Sequence, residues 1–269
     1  SDLIASKELS GSTLNLLSGN YIPNYTSGIT FFIAVAATNL FHQGNWQRVF
    51  AAKDYNVLKR SLKFSFMIII PTVFIMGITG IFAISLDNKI NPDLAFFSLL
   101  LKENSEIIAV AVIILAISLT VSTLDTLING ISSLIIVDGK KISKNINSSN
   151  FIIIFLSIIA LFVASKGFSI LYLFLLADLL CCAAVFPVFY GFFKKKIIES
   201  DLILSIVIGL VLGLLFFPNT SFTNSLLVGG LINNEFFPVI IKNYLLFWSF
   251  LIATIAPAVT VLFKYNPSK

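Results

Sequence analysis

The sequence predicts an all-α integral membrane protein, and three observations carry that prediction. First, of 269 residues 57% are hydrophobic and only 12% charged, whereas a soluble domain carries about a quarter charged residues. Second, apolar runs of about 16 to 25 residues recur from end to end, near the ~20 that a helix needs to cross a bilayer. Third, polar and apolar residues do not alternate at short spacing, as the strands of a membrane barrel require. Lipid offers backbone groups no partners, so the spans are helices. The apolar runs place about seven of them, at approximately 29–50, 64–86, 107–137, 151–165, 168–193, 202–217 and 244–263.

Taken in order, residues 1–28 are polar, contain Pro23, and read as an external loop. The first span begins ITFFIAVAA and turns into TNLFHQGNWQRVFAAK. Its apolar part is too short for a plain membrane anchor, and polar groups and Gly44 interrupt it. The bland alternative is a helix that ends at Asn39 with an amphipathic extension along the interface, where Trp46 and Arg48 serve as anchors in either case. The 87–106 segment holds an apolar patch bracketed by acidic residues, expected as a short helix across the outer face. The 218–243 segment, with Gly229, Gly230 and Pro238, reads as an irregular external loop.

Orientation follows from the basic residues, which are enriched in cytoplasmic loops. Of the 18, 13 fall in one alternate set of connections, including Arg48, Lys53, Lys59, Arg60 and Lys63, and five in the other. The N-terminal loop, 87–106 and 218–243 are therefore expected outside and the C-terminus in the cytoplasm, for a multi-pass protein of a plasma or bacterial inner membrane. The net charge of +5 lies in these connections and forms no basic face, so no nucleic-acid partner is expected; the expected surroundings are membrane lipid. Cys181 and Cys182, neighbours in an apolar run, read as small helix residues. A chain starting at Ser1, with no initiating Met and no signal-peptide pattern, reads as a piece of something longer.

Polar residues inside the spans point to function. Short, interrupted membrane helices expose carbonyls and amides at membrane depth and mark transporter binding sites, which makes Thr38, Asn39 and Gln43 candidate solute contacts. The third span carries Ser122, Asp125, Thr126 and Asn129 at three- and four-residue steps, one helical face expected to turn into the bundle. Asp125 is a candidate gating or coupling group, because a charge at mid-membrane is functional by default. For single hydroxyls the plainer reading is adhesion between helices. Adjacent Ser122 and Thr123, with a carbonyl from the preceding turn, also offer up to three of the oxygens that a hard cation such as sodium takes. Asp178, the other intramembrane acid, is a candidate solute ligand, a proton acceptor or a partner for a neighbouring helix. His42 reads as a polar member of the broken helix, and Lys166 lies in a turn where it reaches water.

HQGNWQRVFAAKDYNVLKR, LTVSTLDTLINGISSLIIVD and LLADLLCCAAVFPVFYGFF, in this order over residues 29–193, resemble the sodium/solute symporter family. The resemblance implies a LeuT-like core of two inverted five-helix repeats. Residues 29–193 would be the second repeat and 194–269 two additional spans with a long external loop, so the partner is the missing N-terminal half. It also implies a partial sodium site, with side-chain ligands Ser122 and Thr123 and the carbonyl of Leu119. Sugar-carrying members place Asn and Tyr where this chain has Val35 and Thr38, so a sugar is not the expected solute.

The expected function is therefore sodium-coupled symport of a small polar organic solute such as urea, an amino acid, a carboxylate or an osmolyte. No covalent chemistry is expected, since there is one His, no metal-ligand cluster and no nucleophile beside a base. The alternative is a structural or proton-conducting subunit of a larger membrane complex, with Asp125 and Asp178 as relay groups.

Overall fold

The computed structural model describes residues 22–86, 94–102, 106–142, 149–194, 198–227 and 243–264. Among them the protein is all-helical, with one isolated bridge between Pro218 and Ser225. The helices are α1 (Ile22–Phe41), α2 (Gln43–Ala51), α3 (Tyr55–Leu86), α4 (Ala95–Lys102), α5 (Glu106–Ile142), α6 (Ser149–Ser165), α7 (Ile170–Phe193), α8 (Glu199–Phe216) and α9 (Leu245–Lys264). Five of them, α3, α5, α7, α8 and α9, are long and apolar enough to cross a membrane, which makes the chain an all-α membrane protein. The other two expected spans are less plain. Helix α6 has 17 residues, short of the ~20 of a full crossing, and α1 has 20 but carries Asn24, Thr26, Ser27, Thr30, Thr38 and Asn39.

Boundaries moved for physical reasons. Helix α1 starts at Ile22, inside the stretch read as loop, because Pro23 fits the first turn, where its missing N–H has no partner to lose. Residues 1–21 of that loop lie outside the described residues. Helix α3 starts at Tyr55 rather than near residue 64, and the Asp54 carboxylate accepts the Val57 N–H at 2.8 Å, an N-terminal cap that satisfies one orphan donor. Its 32 residues span about 48 Å, so the basic first turns project beyond the hydrocarbon. Of the segment 87–106, Ala95–Lys102 form the expected short helix, α4, while 87–93 and 103–105 lie outside the described residues.

The chain divides into two compact units, one of Ser1–Gly11 with Gln43–Gly167 and the other of Ser12–His42 with Phe168–Lys269. In the first, α3 meets α4, α4 and α6 meet α5, and α2 lies against α5. In the second, α7 touches α1, α8 and α9, and α8 lies along α9. The second unit holds a buried cluster of Ala34, Ala37, Tyr172, Leu175, Cys182 and Phe250 with their neighbours. Helices α8 and α9 approach closely because small residues line the seam. A methyl on Gly209 would collide with the Pro257 ring, and one on Gly213 would come within 2.8 Å of Ala253 Cβ. Ser249 Oγ donates to the Gly213 carbonyl at 2.8 Å, so the seam's buried hydroxyl has its partner.

Between α8 and α9, the described start of the 218–243 segment is ordered by hydrogen bonds, while residues 228–242 lie outside the description. Asn219 Oδ1 accepts the Thr223 N–H at 3.0 Å, and the Leu226 N–H reaches the Phe217 carbonyl at 2.7 Å. Phe222 takes the left-handed backbone conformation, φ 56°, which costs a residue with a Cβ roughly 1–2 kcal/mol. Its ring stands edge-on to Tyr172 at 5.9 Å, and the Tyr172 hydroxyl donates to the Pro218 carbonyl at 3.3 Å.

Candidate functional site

The helical stretch expected as the first span is broken where its sequence turns polar. Helix α1 ends at Phe41, α2 begins at Gln43, and His42 between them is non-helical. Asn39 closes the end of α1: its carbonyl accepts the His42 N–H at 3.4 Å, and its side-chain amide donates to the Val35 carbonyl at 2.8 Å. His42 Nδ1 is buried and has no hydrogen-bond partner among the described residues.

One turn before the break, the Thr38 hydroxyl donates to Asp178 Oδ1 on α7. Asp178 is 8% exposed, and the buried residues one turn either side of it, Leu175 and Cys182, belong to the apolar cluster. An acid at the centre of a membrane helix costs about 2.5–3.5 kcal/mol, and a hydrogen bond to a charged group returns about 1.5–3. Among the described residues no Lys or Arg forms an ion pair with Asp178. The hydroxyl proton is already committed to the carboxylate. What the pair presents to a ligand is therefore acceptor oxygens, chemistry suited to a cation or to a solute rich in N–H donors.

Toward the start of the same helix, Pro23, Thr26, Thr30, Pro218, Phe222 and Tyr244 line a cleft of about 200 Å³. Thr30 is 1% exposed and donates to the Thr26 carbonyl at 2.7 Å. It precedes Thr38 by two turns, about 12 Å along the helix.

The remaining candidates belong to the other unit. Gln43 opens α2, and its Cβ lies 3.7 Å from where a side chain on Gly130 of α5 would begin. Gln47 Nε2 donates to Ser133 Oγ at 3.5 Å, a second tie from α2 to α5. Sequence reasoning missed that role; the signal was a Gln one turn after Gln43 opposite the hydroxyls of α5. On α5, Thr123 Oγ1 donates to the Leu119 carbonyl at 2.9 Å, and Thr126 Oγ1 to the Ser122 carbonyl at 3.0 Å. Hence Leu119 and Thr123 bring two neutral oxygens together, with Ser122 next in sequence, a donor set that fits part of a hard-cation shell. Leu119, Ser122, Thr123 and Asp125 are exposed rather than turned into their unit. A Thr bonded back to its own helix satisfies its hydroxyl with no neighbour. The Asn129 side chain lies outside the described residues.

Searches against protein-family models, curated proteins and solved structures found no match.

Proposed function

We propose that this chain serves sodium-coupled symport of a small polar organic solute, as its resemblance to the sodium/solute symporters implies. The observation that supports this best is the Thr38–Asp178 hydrogen bond beside the break at His42. An interrupted helix and an intramembrane acid are the two features by which membrane solute sites are read, and here they share one contact. Thr38 and Asp178 contact the solute, Asn39 and Gln43 flank the break, and Leu119, Ser122 and Thr123 supply part of the sodium shell, with Asp125 as a coupling group. A partner helix from the first repeat would complete that shell. Sodium favours the outward-open state and solute allows the return, each by its differential affinity.

Uptake into vesicles by the complete protein tests the reading, with sodium, potassium and proton gradients imposed separately. Sodium-driven uptake of a solute from the urea, amino-acid or osmolyte classes supports it. One observation favours a second reading: Asp178, buried with a neutral partner, also suits a relay group in a proton-conducting subunit. Flux that follows the proton gradient and ignores sodium would select that reading.

A further inference from the structure

We propose that the basic first turns of α3 bind an anionic phospholipid, with its phosphate held by Lys59 and Lys63 and an acyl chain laid along Leu62, Phe66 and Met67. These residues and Tyr55 recur at three- and four-residue steps, so they share one face, an open strip along the first turns of α3 that also takes in Leu58. The strip is exposed: Tyr55 is 75%, Leu62 61%, Phe66 67% and Met67 68% accessible.

Charge complementarity names the occupant. Within Gln43–Leu86, the basic residues Arg48, Lys53, Lys59, Arg60 and Lys63 face a single carboxylate, Asp54. Asp54 is engaged by the Val57 N–H, and neither Lys59 nor Lys63 has an ion pair among the described residues. A cluster of this size at the end of a membrane helix attracts anionic lipid. Depth is fixed independently of charge. From Phe64 to Leu86 no residue is charged, and that stretch rises about 34 Å, against a hydrocarbon core of about 30 Å. Lys59 and Lys63 therefore stand at the hydrocarbon–headgroup boundary, their stems along apolar surface and their ammonium groups at phosphate level. A free phosphate ion would use the two lysines and leave the apolar half of the strip unfilled, whereas a phospholipid fills both.

The test uses the full chain, delipidated in an uncharged detergent, with bound lipid counted by native mass spectrometry. Phosphatidylglycerol and phosphatidylcholine of identical acyl chains are titrated, and inorganic phosphate is the competitor. Phosphatidylglycerol is expected to bind at least tenfold more tightly and to resist millimolar phosphate. At about fivefold per basic residue near a membrane surface, Lys59→Gln with Lys63→Gln weakens it roughly thirtyfold, while the double Arg variant retains it. Equal affinity for the two lipids overturns the proposal, as does full binding by the double Gln variant. Displacement by inorganic phosphate would reduce the strip to an ion site. Occlusion of the strip in a concentration-dependent dimer would assign it to a second copy, and either result also sinks the lipid site.

Discussion

Thr38 and Asp178 stand 140 positions apart and share a hydrogen bond. Each was legible in the sequence as a polar residue in an apolar run, but their pairing was not, since helix periodicity carries no information about which face of α1 meets α7. If the pair contacts solute, Asp178→Asn keeps the shape, removes the charge and weakens solute binding about tenfold or more, the scale of one lost charge-assisted bond, with sodium affinity changed less. Equilibrium binding of the solute across several sodium concentrations separates the two, and equal losses in both would mark the acid as structural. Thr38→Val should follow the same order with a smaller effect. If Ser122 and Thr123 ligate sodium as proposed, replacing both by Ala is expected to raise the half-saturating sodium concentration while abundance stays near normal. Thr123 bonds only its own helix among the described residues, so little packing depends on it. Linkage requires solute affinity at fixed sodium to fall too. An unchanged sodium curve with a lower melting temperature would instead make the hydroxyls adhesive, worth roughly 0.6 kcal/mol each.

At the scale of the helix, two features of α8 and α9 set the strength of their seam: backbone approach at Gly209 and Gly213 and the hydrogen bond from Ser249. Gly213→Leu is expected to destabilise the protein by about 1–3 kcal/mol, the usual cost of overpacking. Ser249→Ala should cost about 0.6 kcal/mol, the average for a membrane hydrogen bond. Thermal unfolding in detergent measures both, and a Gly213→Leu variant as stable as the parent would show that the seam can part. The existence of these helices was readable because twenty apolar residues have few other fates, and the ends of α7, α8 and α9 lie within a few residues of expectation. What misled was polarity at the ends. The basic turns before Phe64 read as connection, yet Asp54 caps them into α3; hydropathy sees the bilayer, whereas hydrogen bonding decides where a helix begins. That the helix would be interrupted was visible beforehand, because Asn39, His42, Gln43 and Gly44 crowd the end of a short apolar run; that the break falls at His42, between Asn39 and Gly44, was not.

Over the whole molecule, apolar side chains cover the outside of the spanning helices. Of the most apolar stretch of α3 only 6% is buried within the protein, and of α5 none. A surface of that kind dissolves in lipid or against further helices, and water would aggregate it. How the chain lies in that lipid rests on charge alone: 13 basic residues in one set of connections against five in the other. Single cysteines test the assignment. The native thiols offer little background, since Cys182 is buried and Cys181 half-buried in α7. Ser221 is exposed in the turn after α8 and Lys53 between α2 and α3. In intact cells or right-side-out vesicles, a membrane-impermeant maleimide is expected to label Ser221→Cys and to spare Lys53→Cys until the membrane is opened. On this assignment the five charges between Arg48 and Lys63 belong to the larger set of connections, and only Lys59 and Lys63 among them line the proposed lipid strip. Replacing Arg48 and Arg60 by Gln in the Lys53→Cys background, with Lys59 and Lys63 kept, should therefore weaken the labelling asymmetry while the lipid strip persists. The reverse labelling pattern in the parent would invert the topology. It would place the α3 strip in the outer leaflet without altering which residues form it.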